Sequence, residues 1–289
     1  MTDFTDVWYK SSDGLILYAR DYKPAHEANE EDITIVCIPG LTRNSADFHE
    51  LAQHLQNNFR VITLDLRGRG RSSYDTISSN YNPATYVADI VELINNLELR
   101  SVVFIGTSLG GLLSMLISAT QPDYVKGMII NDFAPEILQS GLSRIQSYVG
   151  KASPVQDWDA AVAQIKQFNG KELPDLSDEG WLTFAHNVYR SNAAGIPVLD
   201  YDPAISEPFT SSEGNAELAT LWPVYDALPQ VPMLLIRGEL SDIVSSQCVT
   251  EMQRRRTSLL YAEVAGRGHA PLLNEPDALH AIDKLLTLV

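Results

Sequence analysis

Ser101-Val-Val-Phe-Ile-Gly106-Thr107-Ser108-Leu109-Gly110-Gly-Leu-Leu-Ser-Met-Leu-Ile-Ser-Ala-Thr120 is the stretch on which the fold turns. Its first part is an apolar, β-branched run of strand type. Its last part repeats apolar residues at helical spacing. Between them Gly106-Thr107-Ser108-Leu109-Gly110 matches Gly-x-Ser-x-Gly, the pattern of a tight strand-to-helix turn that carries a serine nucleophile. The chemistry explains the layout. The turn leaves no room for side chains on its flanks, so glycines stand two residues to either side. The serine hydroxyl is lifted above the sheet edge. The next backbone N–H, that of Leu109, lies at a helix N-terminus and can donate to a developing oxyanion.

The pattern on either side repeats the theme. Ile33-Thr-Ile-Val-Cys-Ile38 and Phe59-Arg-Val-Ile-Thr-Leu64 are continuous apolar runs, as are Val102 to Ile105, Val125 to Asn131 and Val231 to Arg237. Helical patterns over 46–56 and 84–97 lie between successive runs. Alternating strand and helix, with strands apolar on both faces, predicts a mainly parallel, doubly wound α/β sheet. Leu15 to Arg20 alternates weakly and reads as an antiparallel edge strand. Leu260 to Val264 is a last short strand and 276–288 a closing amphipathic helix. The alternation breaks after Asn131. The next ninety or so residues are polar, helix-rich and dotted with aromatics, too long for a loop. They are expected to form a helical cap over 133–222, inserted into a core made of 1–132 and 223–289, and to lie over the strand ends where open sheets bind ligands.

A serine is a poor nucleophile without a base, and the base needs an acid to orient it. Of six histidines, His269 stands apart. It follows a strand in Gly266-Arg-Gly-His-Ala-Pro271, a loop able to aim it across the sheet edge. The acid is expected to leave a strand end before it. Asp242, in Gly238-Glu-Leu-Ser-Asp242, is favoured, with Glu239 and Asp132 as competitors. The second oxyanion donor is expected from Pro39-Gly40-Leu41-Thr42, at the Leu41 N–H. Asp65-Leu-Arg-Gly-Arg-Gly-Arg-Ser72 lacks the lysine and hydroxyl pair of a phosphate loop. It reads as a structural turn with Arg67 in a salt bridge.

These motifs together resemble the α/β-hydrolase superfamily along nearly the whole chain, and most resemble its capped bacterial esterases and lactone hydrolases. By that resemblance Ser108, Asp242 and His269 match the nucleophile, acid and base, and Leu41 and Leu109 match the oxyanion donors. Many relatives carry His-Gly where this chain has Pro39-Gly40. The resemblance implies hydrolysis of a small ester, lactone or thioester through an acyl-enzyme, with no metal or organic cofactor. Ser108 at the elbow argues against epoxide and halide hydrolysis, which use aspartate there. A perhydrolase, a cofactor-free oxidoreductase and a silent binding protein on the same fold are the alternatives. Arg43, Trp181 and Trp222 are candidate substrate contacts.

The chain has 289 residues, 45% of them hydrophobic, and a formal net charge of −16. That acidity argues against nucleic acid, which needs a basic face, and against an anionic membrane surface. Its first residues show no basic-then-apolar leader, and no apolar run approaches a membrane span. A cytoplasmic location is the expectation. Two cysteines, Cys37 and Cys248, make no disulfide framework.

Overall fold

In the computed structural model, residues 3–24, 32–210 and 220–289 are described, the side chains of 209 and 210 excepted. The part of the expected cap over 211–219 lies outside them. The core elements are β1 (Thr5–Lys10), β2 (Ile16–Tyr22), β3 (Thr34–Ile38), α1 (His49–Leu55), β4 (Arg60–Asp65), α2 (Pro83–Asn96), β5 (Val102–Thr107), α3 (Leu109–Thr120) and β6 (Val125–Asn131). Then come α4 (Gln139–Tyr148), α5 (Trp158–Asn169), α6 (Asp178–Val188), the small hairpin β7 (Tyr189–Ser191) and β8 (Pro197–Leu199), α7 (Glu207–Thr210) and α8 (Trp222–Asp226). The core resumes with β9 (Met233–Gly238), α9 (Ser246–Arg255), β10 (Leu260–Val264) and α10 (Pro276–Leu286).

Eight strands form one sheet in the order β1-β2-β4-β3-β5-β6-β9-β10. β1 and β2 are antiparallel additions at one edge, and the pairs from β4 to β10 are parallel. The continuous apolar runs become the central strands because helices cover both faces; β3 and β9 are buried along their whole length. One apolar layer joins Val36, Ile62, Phe104 and α2 residues; the other joins Ile35, Val103, Ile129 and α10 residues. α2 starts where Asn82 accepts the Thr85 N–H at 3.0 Å, with Pro83 in its first turn. The helices inserted between β6 and β9 supply the cap, the last of them, α8, packing back on the core.

The turn after β4 is built on buried arginines. Arg67, 1% exposed, meets Asp13, Asp75 and Asp89 within 2.8 Å. That confirms it as a structural residue. Arg69, fully buried, donates from Nε to the Leu41 carbonyl at 2.8 Å and from Nη1 to the Arg67 carbonyl and the Tyr86 hydroxyl. The glycine-rich turn therefore braces the Gly40-Leu41 turn on the neighbouring strand. Cys37 is a fully buried free thiol whose pKa burial pushes well up.

Candidate active site

β5 delivers Ser108 at its C-terminal end with φ +53° and ψ −115°. This left-handed conformation costs energy for a residue with a Cβ, and it recurs at functional turns. The neighbours enforce it. A Cβ on Gly106 would lie 2.2 Å from the Gly110 carbonyl oxygen, and one on Gly110 would lie 2.0 Å from that of Ile38. A serine preceding a helix usually caps it. Here the Ser108 side chain caps nothing. Its Oγ lies 2.8 Å from His269 Nε2 instead.

The other ring nitrogen, Nδ1, lies 2.7 Å from Oδ2 of Asp132. Asp132 directly follows β6, also at φ +53°, and is fully buried. Its carboxylate is met by two further donors: the Gly238 N–H reaches Oδ1 at 3.1 Å and the Ser241 hydroxyl reaches Oδ2 at 2.7 Å. A carboxylate only accepts, so Nδ1 carries the ring proton and Nε2 accepts from Ser108. The loop that carries the ring is pinned by Asn131, whose Nδ2 donates to the Pro271 carbonyl at 2.9 Å.

Asp242 is not at the histidine, contrary to the sequence-based expectation. β6 lies beside β5, whereas β9 is one strand further out. Asp242 sits out in the loop after β9, where its carbonyl accepts the Gly141 N–H of α4. Its carboxylate takes two bonds from Arg144, at 2.6 and 2.7 Å. Burial opposes its ionisation, but the guanidinium prevails and holds its pKa below the usual carboxylate value. Glu239, the other competitor, accepts the Gly266 N–H.

Leu41 and Leu109 flank Ser108 from two turns, and neither N–H has a hydrogen-bond partner among the described residues. The Leu41 turn is closed by the Arg43 N–H donating to the Gly40 carbonyl.

Ser108, His269 and Leu41 lie on the floor of a cavity of about 480 Å³. The cap supplies its roof, including Ile145, Tyr148, Ile165, Phe168 and Phe184. Arg43 lines it too, but its Nε and Nη2 close on Asp47 and its guanidinium lies 4.1 Å from the centre of the Phe184 ring. The two tryptophans do not line it. Trp181 packs inside the cap's own cluster with Ala161, Ala185 and Val188. Trp222 packs on the core against Met115, Met128 and Tyr225, with its indole N–H on Glu136. Size and apolarity made them attractive as contacts, and the same properties sent them into interior clusters.

An alpha/beta hydrolase family model matches residues 35–282. The chain belongs to that family. This hydrolase is 31% identical over 248 residues to the 3-hydroxybutyrate-oligomer hydrolase of Cupriavidus necator, covering 84% of each chain. It is 28% identical to the 2-(acetamidomethylene)succinate hydrolase of Mesorhizobium japonicum, over 80% of this chain and 79% of that one. The crystal structure of an alpha/beta hydrolase from Novosphingobium aromaticivorans superposes with a TM-score of 0.93 at 37% identity, covering 100% of both chains. The relatives place a hydrolase-type reaction on this fold. No helix among the described residues is long and apolar enough to cross a membrane.

Several residues of the hydrolase site were not singled out from its sequence. Asn131 and Ser241 act through hydrogen bonds to backbone or buried carboxylate, and nothing local marks them. Glu172 meets the histidine loop from 97 residues away in sequence.

Proposed function

We propose that this protein is a serine hydrolase of carboxylic esters or lactones, with Ser108 as nucleophile, His269 as base and Asp132 as the acid that orients it. The observation that carries the proposal is the unbroken relay Ser108–His269–Asp132, at 2.8 and 2.7 Å, on the floor of a capped cavity. In the first step Ser108 Oγ bonds to the substrate carbonyl carbon and its proton passes to His269 Nε2. The carbonyl oxygen becomes an oxyanion between the Leu41 and Leu109 N–H groups. The tetrahedral centre collapses, the C–O bond to the leaving alcohol breaks, and His269 returns the proton to that oxygen. Water then attacks the acyl-enzyme, gives a proton to His269, and the acid leaves as Ser108 is reprotonated. Asp132 holds the ring and stabilises the imidazolium of each half-reaction. We take 133–222 as the cap and the remainder as the core.

A fluorophosphonate probe tests the assignment. Intact mass is expected to rise by one adduct, mapped to Ser108. An unmodified, folded protein after prolonged exposure refutes it.

We also infer that the acyl group is uncharged. Two relatives are named for a succinate and an oligomer of 3-hydroxybutyrate. Arg43 is the one lysine or arginine among the described lining residues, and Asp47 already neutralises it. Asp47, Glu50, Glu172 and Glu179 also line the cavity, so a substrate carboxylate meets like charge without a free cation. 4-Nitrophenyl butyrate is expected to give a kcat/KM about tenfold above that of mono-(4-nitrophenyl) succinate, the equivalent of ~1.4 kcal/mol. Preference for the succinate monoester refutes this.

A further inference from the structure

The chain between α5 and α6 dips from the cap onto the loop that carries His269. Glu172 Oε2 accepts the His269 backbone N–H at 3.0 Å. The Glu172 carbonyl accepts the Gly268 N–H at 2.8 Å. Arg267 pairs with Asp175. Three successive residues of the histidine loop, Arg267, Gly268 and His269, are thus held by two cap residues, Glu172 and Asp175. The approach is so close that a Cβ on Gly268 would lie 1.7 Å from Glu172 Oε2.

Glu172 is 7% exposed, and a carboxylate that deep needs a charged partner. Arg144 of α4 lies 3.5 Å away and is itself doubly bonded to Asp242. A charged chain therefore runs from the histidine loop through Glu172 and Arg144 to the loop after β9. None of these groups bonds to Ser108 or to the His269 ring. Their reach to the chemistry is through the backbone on which the ring is mounted.

We propose that Glu172 is a positioning residue that couples the seating of the cap to the placement of the catalytic base. It rests on His269 being that base. Proton transfer needs the ring within hydrogen-bond reach of Oγ, and a displacement of about 1 Å can cost on the order of 100-fold in rate. With the cap chain docked, Glu172 fixes the backbone under the ring. Removing the cap accordingly harms even small esters, rather than altering selectivity alone.

The test compares Glu172→Ala and Glu172→Gln with 4-nitrophenyl acetate, whose acyl group is too small to engage the cap, alongside fluorophosphonate labelling and thermal melts. Glu172→Ala is expected to lower kcat about 10- to 100-fold with KM nearly unchanged, and to slow labelling equally. Glu172→Gln keeps an oxygen for the His269 N–H and is expected to recover most of kcat. Gly268→Ala, which drives a methyl group into the Glu172 carboxylate, is expected to reproduce the kcat loss and serves if Glu172→Ala does not fold. Unchanged kcat in a folded Glu172→Ala or Gly268→Ala protein overturns the proposal, as does a loss confined to KM. So does a folded Glu172→Gln protein as slow as Glu172→Ala. A wild-type protein that takes no label instead overturns the serine reaction on which the proposal stands.

Discussion

Ser108→Ala is expected to lower kcat for an activated ester by about 10⁶-fold while the protein remains folded, since the relay acts as one unit. The substitution removes only the Oγ that lies 2.8 Å from His269 Nε2. That oxygen does not cap α3, so the helix loses no hydrogen bond of its own. The backbone turn is fixed by Gly106 and Gly110, which the change does not touch. Adding His269→Ala is expected to cost little more, because serine and histidine serve the same step. Steady-state kinetics on the folded single and double variants check this. Ester hydrolysis at the wild-type rate by Ser108→Ala would remove Ser108 from the mechanism.

Asp132→Asn is expected to depress kcat by about 10⁴-fold. The Gly238 N–H can only donate and holds the amide oxygen at the Oδ1 position, while the Ser241 hydroxyl can turn to accept, so the amide nitrogen takes the place of Oδ2. The amide NH₂ then faces His269 Nδ1, which must give up its proton to accept. That puts the ring proton on Nε2, so the ring can no longer take one from Ser108. Asp242→Asn leaves the relay untouched and weakens only the bonds to Arg144, so its loss is expected to stay within about tenfold. The reverse order of severity, measured on the two folded variants, would return the acid to the loop after β9.

The sheet was legible because its strands are continuous apolar runs alternating with helical patterns, the arrangement of a parallel sheet covered on both faces. Val125–Asn131 and Leu260–Val264 fall where the pattern puts them. β1 was not foreseen: Thr5–Lys10 lies at the edge, with an exposed Trp8, and carries little of the hydrophobic signal that marks a strand. Ser108 and His269 were legible because glycine-bounded loops at strand ends announce themselves. The acid was not. Asp242 and Asp132 both follow strands, and chain order admits either. What separates them is sheet order, which puts β6 next to β5 and which no local pattern encodes. The cap's existence was readable from the break in alternation, but the partition of its aromatics was not. Trp181 faces its own helices and Phe184 faces the cavity, three residues apart on α6. A single helix buries both faces, and the sequence does not say which burial is against protein and which against substrate.

The seat proposed for the acid, at the end of β6, has a consequence for how such an enzyme can diversify. Ser108 and Asp132 belong to one uninterrupted β–α–β unit, β5-α3-β6, laid down entirely upstream of the insertion. Lengthening, shortening or recombining the inserted segment leaves their spacing unaltered. The loop after β9, relieved of an acid's duty, clasps α4 through Asp242 and Arg144. The proposed nucleophile and acid thus leave β5 and β6, while the cap is clasped by the loops after β9 and β10. Selection can rework the roof for new substrates while the spacing of Ser108 and Asp132 stays fixed, and the histidine loop, held by Glu172, is a place where such remodelling reaches the reaction.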